Sequence, residues 1–290
     1  MKDKIAVVYA EGTIVDGKGE NGNTGGKKYV DILEDIRKDD KIKAVVLRVN
    51  SGGGSALASD QMWHEVEKLK ADGKPVIVSF GDVAASGGYY IACNSDKIYA
   101  EPNTITGSIG VFRLFPIVQT MFEDNIGITT DTVLTGKLSG GLNPVFAPSS
   151  MEKKVMQAGT EQMYQTFLQR VADGRATLAD KEAVHKIAQG RVWTASAALE
   201  NGLIDEIGGL DNAIAYAAEQ ANLEKYRTTE YPKVKTPYQQ LIQELMNPSA
   251  MVTEYQARRV LGDQYHIFKE LEEMLESDVY QARMLETINF

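Results

Sequence analysis

The sequence predicts an α/β fold, and three observations carry that expectation. Short apolar runs alternate with stretches of helical periodicity, and two of those runs end in glycine-rich turns. With 43% apolar and 24% charged residues over 290 positions, the chain has the balance of an ordinary globular protein with a sizeable core. Ile5 to Tyr9 reads as the first strand, Lys28 to Lys38 as a helix, and Lys43 to Val49 as a second strand. Ser55 to Asp72 reads as a second helix, stopped by Gly73-Lys74-Pro75. Asp16 to Gly26 is glycine-rich and reads as a flexible surface connection, able to border a cleft. Pro75 to Phe80 is a buried-strand pattern, and Tyr89 to Cys93 can continue as a helix.

Between those last two elements lies Ala84-Ala85-Ser86-Gly87-Gly88-Tyr89-Tyr90-Ile91. A lone serine among small residues, followed by two glycines, suits an exposed nucleophile whose next backbone N–H can bind an oxyanion. At a strand-to-helix junction the first helical N–H groups lack partners and carry partial positive charge, which favours developing negative charge beside Ser86. The competing reading makes Ser86 only a helix N-cap. The Gly-x-Ser-x-Gly elbow of α/β-hydrolases is not matched, since Ala84 stands where its first glycine would be.

The second glycine cluster, Asn50-Ser51-Gly52-Gly53-Gly54-Ser55, follows the strand pattern Lys43 to Val49. Ligands of open α/β sheets gather at the carboxyl ends of strands, so the two turns can face one cleft. Gly53 and Gly87 N–H would then form a two-donor oxyanion hole. A phosphate loop is disfavoured, because no Gly-Lys-Ser/Thr follows and Leu57 occupies the last glycine position of Gly-x-Gly-x-x-Gly. A purely structural tight turn is the remaining alternative.

Taken together, the two clusters resemble the signal peptide peptidase A family, also called protease IV. The resemblance extends through Thr106-Gly107-Ser108-Ile109-Gly110-Val111 and Gly190-Arg191-Val192-Trp193-Thr194 to Gly202-Leu203-Ile204-Asp205-Glu206-Ile207-Gly208, covering about residues 4 to 222. Gly52 replaces the proline usual in the family's first turn. The resemblance implies a Clp peptidase/crotonase-like ββα spiral and a serine endopeptidase using a Ser-Lys dyad and no cofactor or metal. It implies signal peptides or other membrane-associated peptides as substrates, ring-like homo-oligomers, and a bacterial cell-membrane location with the catalytic domain on the extracytoplasmic, periplasmic side. Ser86 is the implied nucleophile, Gly53 and Gly87 the oxyanion donors, and Ser108 the residue that hydrogen-bonds and places the lysine amine. An ordinary turn serine is the alternative for Ser108.

A lysine can act as the base only when its amine is neutral, which burial favours. In short-form members the lysine follows the serine in a Ser/Val-Gly-x-x-Lys segment. Matching Gly136 of Thr135-Gly136-Lys137-Leu138-Ser139 places Ser139 at the base position. Lys137 is two residues early, displaced by about 6 to 7 Å if the segment is extended. It is retained as a fallback base, beside the reading of a solvated loop lysine. Long-form members split the dyad, with the lysine in the amino-terminal copy and the serine in the carboxy-terminal copy, and this chain resembles the second copy. Met1 to Lys4 leads at once into the first strand, so an excised fragment is expected, with the base, a membrane anchor and a tandem domain lying upstream.

Composition removes other classes. A net charge of −9, without basic runs interleaved with aromatics, argues against nucleic acid and anionic lipid as general partners. Cys93 is the only cysteine, which excludes intrachain disulfides, zinc clusters and redox pairs and reads as a small buried residue. His64 and His185 fall in amphipathic helical patterns and His266 in the C-terminal part, and no Ser-His-Asp spacing emerges. Asp82 and Asp96 read as loop or capping carboxylates. The apolar stretch near Val111 to Phe122 is interrupted by Arg113, Pro116 and Gln119, so no bilayer span and a soluble chain are expected.

Beyond Ser149-Ser150-Met151-Glu152, the residues Val155, Gly159, Met163, Phe167 and Val171 recur every four positions and predict a long helix with one buried stripe, set against the core or a neighbouring subunit. Asp211 to Ala221 predicts an alanine-rich helix after Gly208-Gly209. The expected organisation is a serine peptidase domain over 1–225 and a helical C-terminal extension over 226–290. Pro232, Pro237 and Pro248 interrupt that extension, and helical character returns from Val252 to Leu285. Two other functions compete. A crotonase-type acyl-CoA enzyme would use the same hole for a thioester enolate but needs no serine between the donors. A catalytically incomplete peptide-binding or assembly module is the other, since no lysine aligns.

Overall fold

The computed structural model describes residues 3–20, 22–141 and 143–233, together with 259, 262 and 281–283. The chain opens with β1 (Lys4–Glu11), β2 (Ile14–Val15), β3 (Thr24–Gly25) and α1 (Gly26–Lys38), then β4 (Ile42–Ser51), β5 (Gly53–Ser55) and α2 (Ala56–Ala71). Next come β6 (Val76–Ala85), α3 (Gly87–Tyr90), β7 (Lys97–Ala100), β8 (Ile105–Gly107) and α4 (Ser150–Gly174). The remainder holds α5 (Lys181–Ile187), β9 (Val192–Thr194), α6 (Ala195–Glu200), β10 (Glu206–Ile207), α7 (Leu210–Gln220), β11 (Arg227–Tyr231) and β12 (Gln281–Arg283). The α/β expectation is met.

The main sheet runs β10-β7-β6-β4-β1-β11, all parallel, because each crossover carries the chain back through a helix. Parallel strands covered on both faces need continuous apolar runs, and β1, β4 and β6 supply them. Val45, Val46, Val76, Ile77 and Val78 are wholly buried, each fully buried side chain of this kind contributing about 1.5–3 kcal/mol. Leu33 and Ile36 of α1 with Met62, Trp63 and Val66 of α2 cover one face, and Ala213 and Ala217 of α7 pack against Ile5, Val7 and Val46 on the other. At its carboxyl end β6 leaves β7 and pairs with β8, which pairs antiparallel with β9. A second, smaller sheet, β12-β5-β2-β3, stands beside that end.

Several elements depart from expectation. The β6 strand continues five residues past Phe80 to Ala85, because the side chain of Asn50 accepts a hydrogen bond from Val83 N–H (3.1 Å) where β4–β6 pairing shifts register. The glycine turn is not merely a turn, since Gly53–Ser55 is a strand between β2 and β12. Residues 16–20 and 22 of the expected surface connection are exposed, and the flanking β2 and β3 belong to the sheet containing β5. Helix α4 begins as predicted, with Ser149 and Glu152 forming a reciprocal capping box. Its stripe is buried only at Phe167 and Val171, while Val155 is exposed.

Arg227–Tyr231, in the region expected to lie outside the core, joins the main sheet beside β1. Residues 281–283 were expected to be helical and instead form a strand on β5, backbone pairing having overridden local helical pattern. Pro237, Pro248 and His266 lie outside the described residues, as does most of the helical pattern from Val252 to Leu285.

Candidate active site

Ser86 sits at the junction of β6 and α3 with φ 52° and ψ −115°, a backbone conformation that residues with a Cβ rarely adopt. Its side chain makes no capping hydrogen bond to α3, so the N-cap reading fails. Ser55 does that job for α2, accepting from Ala58 N–H at 3.1 Å. The exposed nucleophile expected from the sequence is not found: Ser86 is wholly buried, with the Ala282 carbonyl of β12 close against the neighbouring Gly53 and Gly87, and its Oγ has no hydrogen-bond partner among the described residues. The helix that follows is shorter than predicted, one turn from Gly87 to Tyr90. Any stabilisation of charge at Ser86 therefore comes from nearby N–H groups rather than a helix macrodipole, which needs a longer run of aligned peptides.

The elbow is held from three sides. Ser86 N–H donates to Gly107 O (2.8 Å), placing Ser108 one residue from that contact, and Thr106 Oγ1 donates to Ala84 O (2.6 Å). Ser108 is itself buried at φ 49°, its N–H bonded to Arg191 O (2.7 Å). Thr106 and Gly107 stand opposite Trp193 and Val192, so two of the sequence motifs form one antiparallel pair next to the serine. The tyrosines after the glycines anchor the turn: Tyr89 OH donates to Leu203 O (2.8 Å), and Tyr90 OH donates to Asp60 while its ring packs on Phe167 with centroids 4.5 Å apart. Burial pushes both phenols well above their ordinary pKa, so they remain neutral donors.

Gly53 and Gly87 do converge. A Cβ at Gly53, whose φ is +99°, would sit 2.6 Å from Gly87 N and 2.1 Å from the carbonyl oxygen of Ala282. A Cβ at Gly87 would sit 2.9 Å from that same oxygen and 3.1 Å from Gly54 N. Only glycine lets these three backbones and the Ala282 carbonyl approach so closely. Gly53 N–H donates to Ser51 Oγ (3.1 Å), while Ser51 Oγ donates to Gly12 O (2.6 Å), so any oxyanion would share the Gly53 N–H with that serine. Ser51 and Asn50 were quoted in sequence without a role; polar side chains closing a long apolar strand were the available signal.

Lys137 lies on the surface, in a turn where Gly136 O accepts from Ser139 Oγ (2.9 Å), so the extended geometry assumed for the segment is not found. It lines a depression of roughly 250 Å³ with Phe115, Leu134, Phe146 and Glu152, and none of Ser86, Gly53, Gly87 or Ser108 lines that space. Among the described residues no cluster of His, Cys, Asp or Glu could hold a metal ion, and no helix is long and apolar enough to cross a membrane.

The other titratable candidates are structural. Asp96 Oδ2 accepts from Val76 N–H (2.8 Å), His64 is an exposed residue of α2, and His185 Nδ1 lies 2.8 Å from Tyr164 OH. Cys93 is buried with Sγ 3.2 Å from Tyr90 O, and burial pushes its thiol up to about 12. Sequence inspection missed Arg175. Its buried guanidinium bonds both oxygens of Asp205 (2.6 and 3.0 Å), and Asp205 Oδ2 accepts Ile98 N–H (2.7 Å), which explains the acid in Gly202 to Gly208.

Fold and site together define an α/β protein with a strained serine at a strand-to-helix elbow, beside two converging glycine backbones. Residues 68–224, more than half of the chain, match Peptidase family S49. The chain belongs to that family, the signal peptide peptidase A or protease IV family that its motifs resemble. It is similar to Protease 4 of Haemophilus influenzae, with 45% identity over 223 residues, 77% of this chain and 35% of that protein. Protease 4 of Salmonella typhi is 43% identical over 227 residues, 78% of this chain and 36% of its own length. The chloroplastic serine protease SPPA of Arabidopsis thaliana is 40% identical over 227 residues, 77% of this chain and 33% of its own. The chain thus spans about a third of the length of these relatives.

Proposed function

We propose that this chain is the serine-bearing part of an endopeptidase acting by an acyl-enzyme route. Ser86 Oγ attacks the substrate carbonyl carbon, Gly87 N–H and the shared Gly53 N–H hold the oxyanion, and the peptide nitrogen leaves with a proton. Water then releases the acyl group. The observation that carries this reading is the buried Ser86 hydroxyl, at φ 52° and without a partner among the described residues, beside the Gly53–Gly87 convergence. Strain and an unmade hydrogen bond each cost stability, and nucleophile sites are where such costs persist.

The proton acceptor we assign to a lysine supplied from outside this chain, with Ser108 orienting its amine. The exposure of Lys137, where Ser86 is wholly buried, supports that assignment, as does coverage of only about a third of the long relatives. The peptidase domain, whose main sheet includes β11, would adopt the Clp/crotonase-like ββα spiral. The whole protein would act on signal peptides or other membrane-associated peptides as a homo-oligomer at the bacterial cell membrane, on the extracytoplasmic side.

The test measures hydrolysis of a quenched fluorescent peptide by the complete protein, its Ser86→Ala variant, and this chain with and without its natural upstream segment. Activity confined to the longer wild-type form is the expected outcome. Undiminished cleavage by Ser86→Ala refutes the nucleophile, and equal activity of the short form refutes the borrowed base.

A further inference from the structure

The single turn of α3 begins at Gly87, and α2 grips that turn at both ends. At the near end Ser59 Oγ, wholly buried and donating to Ser55 O (2.8 Å), stands 2.7 Å from where a Cβ on Gly87 would lie. At the far end Asp60 Oδ1 accepts from Tyr90 OH (2.7 Å), and Tyr90 N–H donates to Ser86 O (2.8 Å), which closes the turn onto the serine. A helix of four residues has almost no stability of its own, so its shape is set by what it is tied to.

The same Asp60 oxygen accepts from Arg170 Nε of α4 at 3.1 Å, and the Arg170 guanidinium lies 3.8 Å from the centre of the Trp63 ring. Trp63 follows Asp60 by three positions, so the two share one face of α2. Phe167, three residues before Arg170 on α4, packs on the Tyr90 ring. One carboxylate thus joins α2, α3 and α4, with a guanidinium bond and a ring stack behind it that are stronger than a neutral contact. Because α2 continues directly from β5, and Gly54 N lies 3.1 Å from where a Gly87 Cβ would be, holding α3 to α2 also fixes the spacing between the Gly53 and Gly87 backbones.

We infer that Asp60 is a positioning residue for the proposed peptidase reaction: acting through Tyr90 and backed by Arg170, it sets the spacing of the two N–H groups that receive the oxyanion. The inference rests on the reading of Gly53 and Gly87 as oxyanion donors. A merely structural tie would stabilise the fold without changing the reaction of the molecules that stay folded. A positioning tie changes transition-state binding and leaves substrate binding alone.

The test uses the protein with its natural upstream segment, its Tyr90→Phe variant, which loses one hydroxyl and keeps the ring on Phe167, its Asp60→Asn variant, and the two changes together. Turnover of a quenched fluorescent peptide is normalised to the serine titrated by a fluorophosphonate, so unfolded molecules do not count. Each single variant is expected to lower kcat about tenfold with KM held within about twofold, since small misplacements of a reacting group cost up to about a hundredfold. Residues acting as one unit are not additive, so the double variant should fall no further than the less active single one. Unchanged kcat overturns the inference, as does a loss confined to KM or one that multiplies in the double variant. Hydrogen exchange on this chain gives a readout that needs no chemistry and covers the case in which Tyr90→Phe misfolds. The residue-90 amide, bonded to Ser86 O, should exchange about tenfold faster in Asp60→Asn while the β4 amides are unchanged. Equal protection of that amide, or an acceleration shared by β4, overturns the tie. A wild-type protein that cleaves no peptide, with the faster exchange still seen in Asp60→Asn, removes the peptidase reading and leaves Asp60 as the residue that holds the turn.

Discussion

Replacing Ser86 by alanine is expected to make the protein more stable. The wild-type hydroxyl is buried, caps nothing, and has no partner among the described residues. An unmet buried polar group costs about 1–3 kcal/mol. Alanine removes that cost, retains the Cβ, and leaves a void no larger than one oxygen atom, whose lost contacts offset a few tenths of a kcal/mol. The net gain is about 1–2 kcal/mol, or roughly 2–8 °C in Tm for a folded unit of this size. Thermal unfolding followed by circular dichroism at 222 nm reads it directly. The strain is separable: Ser86→Gly also relaxes a φ of 52°, removing a cost on the order of 1–3 kcal/mol, against about 0.5–1 kcal/mol of added unfolded-state entropy. A Ser86→Ala variant melting more than about 2 °C below wild type would refute the reasoning, because it would mean the hydroxyl is satisfied in the folded protein.

Asp205→Ala should have the opposite sign. It strips the buried Arg175 guanidinium of both carboxylate bonds and Ile98 N–H of its acceptor, a loss of about 3–5 kcal/mol in urea unfolding, and a change below about 1 kcal/mol would contradict the pairing. Cys93 should resist iodoacetamide at about pH 8 in the native protein and react fully in denaturant, since only the thiolate reacts and burial raises its pKa from 9.0 to about 12. The shift also fixes a pH window. The folded state favours the protonated thiol, so this contribution is complete below the unfolded value and is lost as pH rises from 9.0 towards 12, seen as a falling Tm that a Cys93→Ala variant does not share.

What the sequence made legible follows from how each element is stabilised. Strands β1 and β4 and the first half of β6 are buried on both faces, so their own composition announces them. Ser55 and the Ser149–Glu152 capping box mark helix starts through local hydrogen bonds that sequence spacing records. Strands β2, β3, β5 and β12 are two or three residues long and exist only because distant backbones meet, which no local pattern encodes. Ser86 was legible from its small neighbours, yet its left-handed φ was not, since that conformation is imposed by Gly107, Thr106 and the two anchored tyrosines. Lys137 drew notice by spacing from Gly136 in an assumed extended segment, and the turn closed by Ser139 removed the premise.

The central claim is that Ser86 is the attacking group and that its proton acceptor comes from beyond this chain. Its most direct measurement is peptide mapping by mass spectrometry after treatment with a fluorophosphonate, which forms a stable bond only with an activated serine. The account predicts one adduct, on Ser86, formed by the protein carrying its natural upstream segment and at least about a hundredfold more slowly by this chain alone, the lower end of what a positioned base contributes. An adduct on another residue, or equal labelling rates for the two forms, would contradict it.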